Sequence, residues 1–272
     1  MPAGVFRAQG RKVQLRVFGE EGGEEESEPF IECGVDRDRW QETKFSYYQF
    51  PNRNAQRILF TMPHGERIAE LLLHIDACRF TPQRPIIWPG GIKAPMHIDV
   101  RLALGHAQAQ DLIVEALASR VRSLHVPPDV IAGVSPSGAD WAPLVAKKLD
   151  LPCVLVWSML PKGVKTHIDG SVQEGTHAVL IDDVISTGRR TTAAAHALCE
   201  EGKVTLTDIV SIFSYGMPDS LEYANEERVQ LHPLFDIDTL LKTAINHDLL
   251  NEEDRREILA FAKDHEAWAK TR

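Results

Sequence analysis

Cysteine is scarce in this chain, with four in 272 residues, and no two stand at a paired metal-ligand spacing. Cys33, Cys78, Cys153 and Cys199 therefore argue against a zinc module and against a disulfide framework. They read as reduced thiols in a cytoplasmic protein. Long apolar runs are also missing, and nothing approaches the length of a membrane span. Net positive charge is lacking too. A formal charge of −9 excludes a broad basic surface for nucleic acid or an anionic membrane, though not a local basic site for phosphate. No secretory signal opens the chain. Residues 1–19 hold four basic side chains and no acid. A transit peptide and an ordinary N-terminus both fit this, and the second is favoured.

Residues 19–29, GEEGGEEESEP, have no apolar side chain and are expected to be disordered or solvated. Residues 30–50 scatter aromatics without a period. The expected organisation is an N-terminal extension, 1–60, partly disordered. A domain over 61–272 follows, with a small hood at about 66–105 and a core at about 106–272. An apolar content of 43% is enough to build that core.

Within the domain, Ile68, Leu71, Leu72 and Ile75 predict an amphipathic helix over 66–77. Strand-turn-strand is expected over 79–88, then a glycine turn carrying Lys93. Residues 96–101 alternate as a strand does, which sets Asp99 and Arg101 on one face. A structural pair and a ligand role are equally open for those two. Short apolar runs at 130–133, 153–156 and 209–213 predict buried strands, alternating with helices at 108–121 and 141–149. Residues 159–170 are polar and loop-like. Two helices are expected over 234–268, with Asn251 capping the second. The alternation implies an α/β fold, a parallel β-sheet flanked by helices on both faces. Ligands in such sheets bind beyond the carboxyl ends of the strands.

The chemistry concentrates in VLIDDVISTGRRT, residues 179–191. Apolar residues lead to Asp182 and Asp183. Ser186, Thr187 and Gly188 form a tight loop, and a run of helix formers follows over 193–198. A strand, an acid pair, a glycine turn and a helix N-terminus suit a ligand that joins a phosphate to a cis-diol. The helix end and its free N–H groups take the phosphate, and the carboxylates take the hydroxyls. A strand ending in surface acids before a helix cap is the plainer alternative.

This stretch resembles the 5-phosphoribosyl diphosphate (PRPP) motif of the type I phosphoribosyltransferases. Residues 66–268 as a whole resemble orotate phosphoribosyltransferase. WPGGIKAPMHIDVR, residues 88–101, is similar to that family's W-x-S-G-x-K-S-P-x-Y-x-D-x-R, with Trp88, Gly91, Lys93, Pro95, Asp99 and Arg101 matching. VIAGVSPSG resembles its diphosphate loop, and IVSIFSYG and the C-terminal segment also match in order. One departure stands out. The family usually places Arg-Lys directly after the strand equivalent to 153–156, where this chain has Trp157, Ser158, Met159, Leu160 and Pro161. Its basic cluster comes later, at Lys162, Lys165 and His167.

The resemblance implies transfer of the 5-phosphoribosyl group from PRPP to orotate. The products are orotidine 5′-phosphate and diphosphate, a step of UMP and pyrimidine biosynthesis. It implies Mg²⁺ held mainly by PRPP, with no protein metal site. It also implies a homodimer, with no nucleic acid and no membrane as partner. PRPP binding falls to Asp182, Asp183, Val184, Ile185, Ser186, Thr187, Gly188, Arg189, Arg190 and Thr191, and to Ser135, Pro136, Ser137 and Gly138. Orotate binding falls to Ile87, Trp88, Gly91 and Lys93, although Trp88 and Trp141 are more often packing than base-stacking residues. Lys162, Lys165, His167 and Asp183 are the catalytic candidates. His177 and His196 read as surface residues. A PRPP-binding regulator without turnover and a phosphoribosyltransferase for another base stay open beside this reading.

Overall fold

The computed structural model describes residues 63–88 and 90–271, with the backbone of the short strands β1 (Phe6–Ala8) and β2 (Arg11–Val13). The chain divides into two compact units, Met1–Arg57 and Ile58–Arg272. In the first, β1 and β2 form an antiparallel hairpin with Phe6 opposite Val13. The acidic tract 19–29 and the aromatics of 30–50 lie outside the described residues.

The second unit is built on a six-stranded sheet. Its strands are β7 (Val130–Ser135), β8 (Cys153–Trp157), β9 (Ile168–Asp169), β10 (His177–Ile185), β11 (Thr205–Ser214) and β12 (Gln230–Asp236). Their order is β12-β11-β10-β7-β8-β9, all parallel except β9 at the edge. The central strands carry near-continuous apolar runs because both faces are covered. On one face Ile131, Val179, Ile181 and Val210 pack with α1 (His64–His74), α2 (Ala107–Arg122), α3 (Ala142–Leu149), α6 (Ile237–Asn246) and α7 (Glu252–Lys263). On the other, Ala132, Val154, Leu180 and Ile209 pack with α4 (Arg189–Gly202) and α5 (Pro218–Glu226).

The hood is two small ribbons. β3 (Cys78–Phe80) pairs antiparallel with β6 (Met96–Ile98), and β4 (Ile86–Ile87) with β5 (Lys93–Ala94). The turn between β4 and β5 needs positive φ at Gly90 (91°) and Gly91 (87°), which glycine adopts without strain. Trp88 pins the hood to the core. It is buried against Tyr215 and Phe261, and its indole N–H donates to the Met96 carbonyl at 2.9 Å.

Several expected elements change. The strand expected over 96–101 stops at Ile98, and Val100–Gly105 is a 3₁₀ helix. The cause is Asp99, whose carboxylate accepts the Arg101 backbone N–H at 3.2 Å and diverts the chain from the sheet ladder. The 159–170 loop ends in the antiparallel strand β9. Helix α5 had no expectation; β12 takes residues 234–236, expected as helix, into the sheet, so that the helix starts at Ile237, and α8 (His265–Lys270) follows α7. Asn251 does cap α7, its side chain accepting from Glu253 N and Asp254 N at 2.8 and 2.9 Å. Cys78, Cys153 and Cys199 are free, and burial pushes all three thiols up, Cys78 to about 12. Among the described residues no helix is long and apolar enough to cross a membrane.

Candidate active site

Strand β10 runs past both acids, and its two faces give them different surroundings. Asp182 shares the face of Leu180 and is 0% exposed beneath α4. Its Oδ1 accepts the Asp183 N–H at 2.9 Å and its Oδ2 accepts the Thr191 hydroxyl at 2.6 Å. Burial, reinforced by the adjacent Asp183 charge, pushes this carboxyl up to about 8. The Thr191 bond and the Arg190 charge pull the other way without offsetting it. Asp183 points to the opposite face and is 6% exposed. Its Oδ1 accepts the Val184 N–H at 2.7 Å and lies 3.7 Å from the Arg190 guanidinium.

The loop after β10 leads into α4 through Gly188, whose φ of 78° lets it cap the helix. A side chain there would also press on Ser220 Cβ at 3.1 Å. The first turn of α4 holds no acid, so its free N–H groups and dipole are left to an anion. Ser186 and Thr187 are half-buried beside it. Thr191, expected among the PRPP-binding residues, donates its hydroxyl to Asp182 instead.

The 135–138 loop leans directly on β10. A Cβ at Gly138 would sit 2.4 Å from the Ile181 carbonyl oxygen and 3.1 Å from Asp182 Cα. Ser135 and Ser137 are buried, Pro136 is exposed, and the Ser135–Pro136 peptide is cis. Arg190 crosses to this loop, its Nη1 donating to Ser137 Oγ at 3.2 Å. The loop, Asp183 and the N-terminus of α4 are thus brought together by one side chain.

The hood contributes Arg101. Asp99 grips its guanidinium through two oxygens, at 2.8 and 2.9 Å, and that bond holds Asp99 below the usual carboxylate range. The Arg101 charge is also felt at Asp183 and Asp140. Asp140 is pushed up by burial and then by Asp183, with Arg101 opposing. Asp140 had drawn no attention in the sequence. Its position two residues after Gly138, at the end of the small-residue loop, was the available signal.

Other expected site residues are placed elsewhere. Trp88 lies in the core, so it supports the hood from beneath and offers no open face to a ring, whereas Ile87 is 64% exposed. Trp141 is likewise buried as packing. Gly91 and Lys93 stand on the hood turn and β5. Lys162 and Lys165 are exposed. His167 is held by Glu201 near the end of α4, through its backbone N–H at 2.9 Å and through its ring. It precedes β9, three strands from β10, roughly 14 Å at ordinary strand spacing. Its ring is engaged by Glu201. His177 and His196 pair with Thr207 and Glu227.

Among the described residues no group of three or more His, Cys, Asp or Glu could hold a metal ion. Asp183 and Asp140 offer hard carboxylate oxygens but no closed cage. Such a set fits a Mg²⁺ carried in mainly by ligand oxygens and water.

A parallel sheet whose carboxyl edge sets two acids against a helix N-terminus, beneath a small hood, is the type I phosphoribosyltransferase fold. No family model matches the chain. Among solved structures, UMP synthase of Leishmania donovani superposes with a TM-score of 0.62 at 20% identity, over 73% of this chain and 42% of that one. The orotate phosphoribosyltransferase of Aeropyrum pernix superposes at 0.57 with 21% identity, over 64% and 96%. In sequence, the orotate phosphoribosyltransferase of Coxiella burnetii (strain RSA 493 / Nine Mile phase I) is 33% identical over 208 residues, 76% of this chain and 99% of that protein. That of Listeria monocytogenes (serotype 4b) is 34% identical over 206 residues, 75% and 98%. The chain belongs to the orotate phosphoribosyltransferase family.

Proposed function

We propose that this protein is an orotate phosphoribosyltransferase, moving the 5-phosphoribosyl group from PRPP to orotate in pyrimidine nucleotide synthesis. The observation that carries this is the set of Asp183, the α4 N-terminus and the 135–138 loop at one sheet edge. It stands in a chain that aligns with nearly the full length of relatives bearing that name. In the reaction the bond from ribose C1 to the diphosphate oxygen breaks, and its electron pair leaves with diphosphate. A ring nitrogen of orotate forms the new bond to C1, and the proton that nitrogen carried leaves with the diphosphate.

The residues divide this work. The α4 N-terminus, with Ser186, Thr187 and Gly188, takes the 5′-phosphate through N–H groups and hydroxyls. Asp183 accepts hydrogen bonds from the ribose hydroxyls. Asp182 is a positioning residue, holding Thr191 and hence the first turn of α4 against β10. Ser135, Pro136, Ser137 and Gly138 line the diphosphate. Orotate lies under the hood, with Ile87 for its ring and Lys93 for its carboxylate, while Gly91, expected to donate its N–H to orotate, spends it on the Trp88 carbonyl at 3.0 Å and serves the turn. Mg²⁺, when bound, neutralises charge on the leaving diphosphate.

The protein works as a homodimer in the cytoplasm, and Lys162, Lys165 and His167 serve the neighbouring subunit's site. The hold of Glu201 on His167, and the exposure of Lys162 and Lys165, support that arrangement. The test is a panel of bases offered with PRPP and Mg²⁺. Orotate should be consumed and purines and uracil left untouched. Consumption of another base in place of orotate would overturn the assignment.

A further inference from the structure

Two arginines, Arg189 and Arg190, open helix α4. A helix N-terminus is the positive end of the dipole, so cations in the first turn are disfavoured unless an anion is held there. No acid of that turn offsets them. Arg190 does not turn away to solvent. With its side chain 50% exposed, it lies back across the site to Ser137 Oγ at 3.2 Å and Asp183 Oδ1 at 3.7 Å. The second distance is long for a charged hydrogen bond, so the guanidinium is near Asp183 without being tied to it. A guanidinium has five N–H donors, and one hydrogen bond to Ser137 leaves most of them available.

The rest of this edge offers little free positive charge. Arg101 is gripped by Asp99 through both oxygens, which neutralises it locally. The end of β8 and the segment after it, Trp157, Ser158, Met159, Leu160 and Pro161, carry no charge, and Met159 is 81% exposed.

We infer that Arg190 is the intramolecular cation for the diphosphate group of PRPP, reaching from the 5′-phosphate cradle across Asp183 to the 135–138 loop. It takes the place of charge that the segment after β8 does not supply. Arg190 steadies the leaving group while the C1–oxygen bond breaks, and its planar fork suits two phosphate oxygens at once. Arg189, one position earlier on the helix, has no such link to the loop. This deepens the phosphoribosyl-transfer reading and rests on it.

The experiment uses calorimetry on the whole protein with Mg²⁺ and three probes: PRPP, diphosphate and ribose 5-phosphate. Ribose 5-phosphate has the 5′-phosphate and lacks the diphosphate. R190Q should weaken PRPP and diphosphate by about 10- to 100-fold, the scale of a charge-assisted hydrogen bond left unmade, and leave ribose 5-phosphate within about twofold. R190K keeps the charge without the fork and should recover part of the loss. Equal weakening of all three probes would overturn the inference and place Arg190 in the 5′-phosphate cradle. Unchanged PRPP and diphosphate affinity in R190Q would also overturn it, leaving the phosphoribosyl reading intact. A wild-type protein that binds none of the three would sink both.

Discussion

Replacing Gly138 by alanine tests the coupling between the 135–138 loop and the acid strand. The added methyl would sit 2.4 Å from the Ile181 carbonyl oxygen and 3.1 Å from Asp182 Cα. Both are backbone atoms of β10, a central strand held by β7 on one side and β11 on the other. The strand cannot give way, so the loop must lift by roughly 1 Å to reach an ordinary carbon contact. Overpacking of this kind costs about 1–3 kcal/mol of stability. The functional cost is larger, because the lifted loop carries Ser137 away from Arg190. A misplacement of about 1 Å can lower turnover on the order of 100-fold. Gly105→Ala is the control, since nothing lies within 4 Å of a Cβ there. Urea denaturation and PRPP titration of both variants read the outcome. G138A should be less stable and bind PRPP weakly, and G105A should match the wild type within about 0.5 kcal/mol. A G138A protein as stable as wild type, with unchanged PRPP affinity, would refute the reasoning.

Asp182 gives a pH signature. Folded Asp182 keeps its proton to about 8, while the unfolded chain releases it near an ordinary carboxylate value of about 4. The folded state therefore binds more protons between those limits, and stability falls as pH rises through that window, then levels off. D182N should flatten that descent in urea melts, and identical slopes in both proteins would contradict the assignment. Asp183→Asn should cut PRPP affinity by about tenfold or more with little change in melting temperature, since a charged acceptor is lost without a cavity; calorimetry and a thermal melt check both halves. Lys93→Ala should lose most orotate turnover, the missing charged hydrogen bond being worth about 1.5–3 kcal/mol, and full activity would remove Lys93 from the site. Sedimentation at micromolar protein with PRPP should show a dimer, and a monomer alone would count against loop residues serving a neighbouring site.

Much of the core was legible because its signals are local. The apolar run into Asp182 and Asp183, Gly188 at the turn and the alanines beyond it specify strand, loop and helix within about twenty residues. Asn251 with Asp254 three residues on announces a helix start in the same way. Strand β12 was missed because it is an edge strand. Gln230, His232 and Pro233 dilute its pattern, and only Phe235 is fully buried in it. The separate fates of the two acids were not readable, because they depend on which face of β10 each helix covers. Long-range contacts were hidden for a similar reason. His167 meets Glu201 34 residues away, and Arg190 meets Ser137 53 residues away, and no periodicity encodes either pair. Trp88 drew a ring-binding expectation from its motif, yet its aromatic neighbours Tyr215 and Phe261 come from distant segments.

Phosphoribosyl transfer to orotate can be followed in one reaction mixture. Protein, PRPP, orotate and Mg²⁺ are followed together for orotate lost, orotidine 5′-phosphate gained and diphosphate released. Equal amounts of all three are expected, and no reaction without PRPP. Diphosphate released without orotidine 5′-phosphate, or orotate left untouched while PRPP is bound, would contradict transfer to orotate.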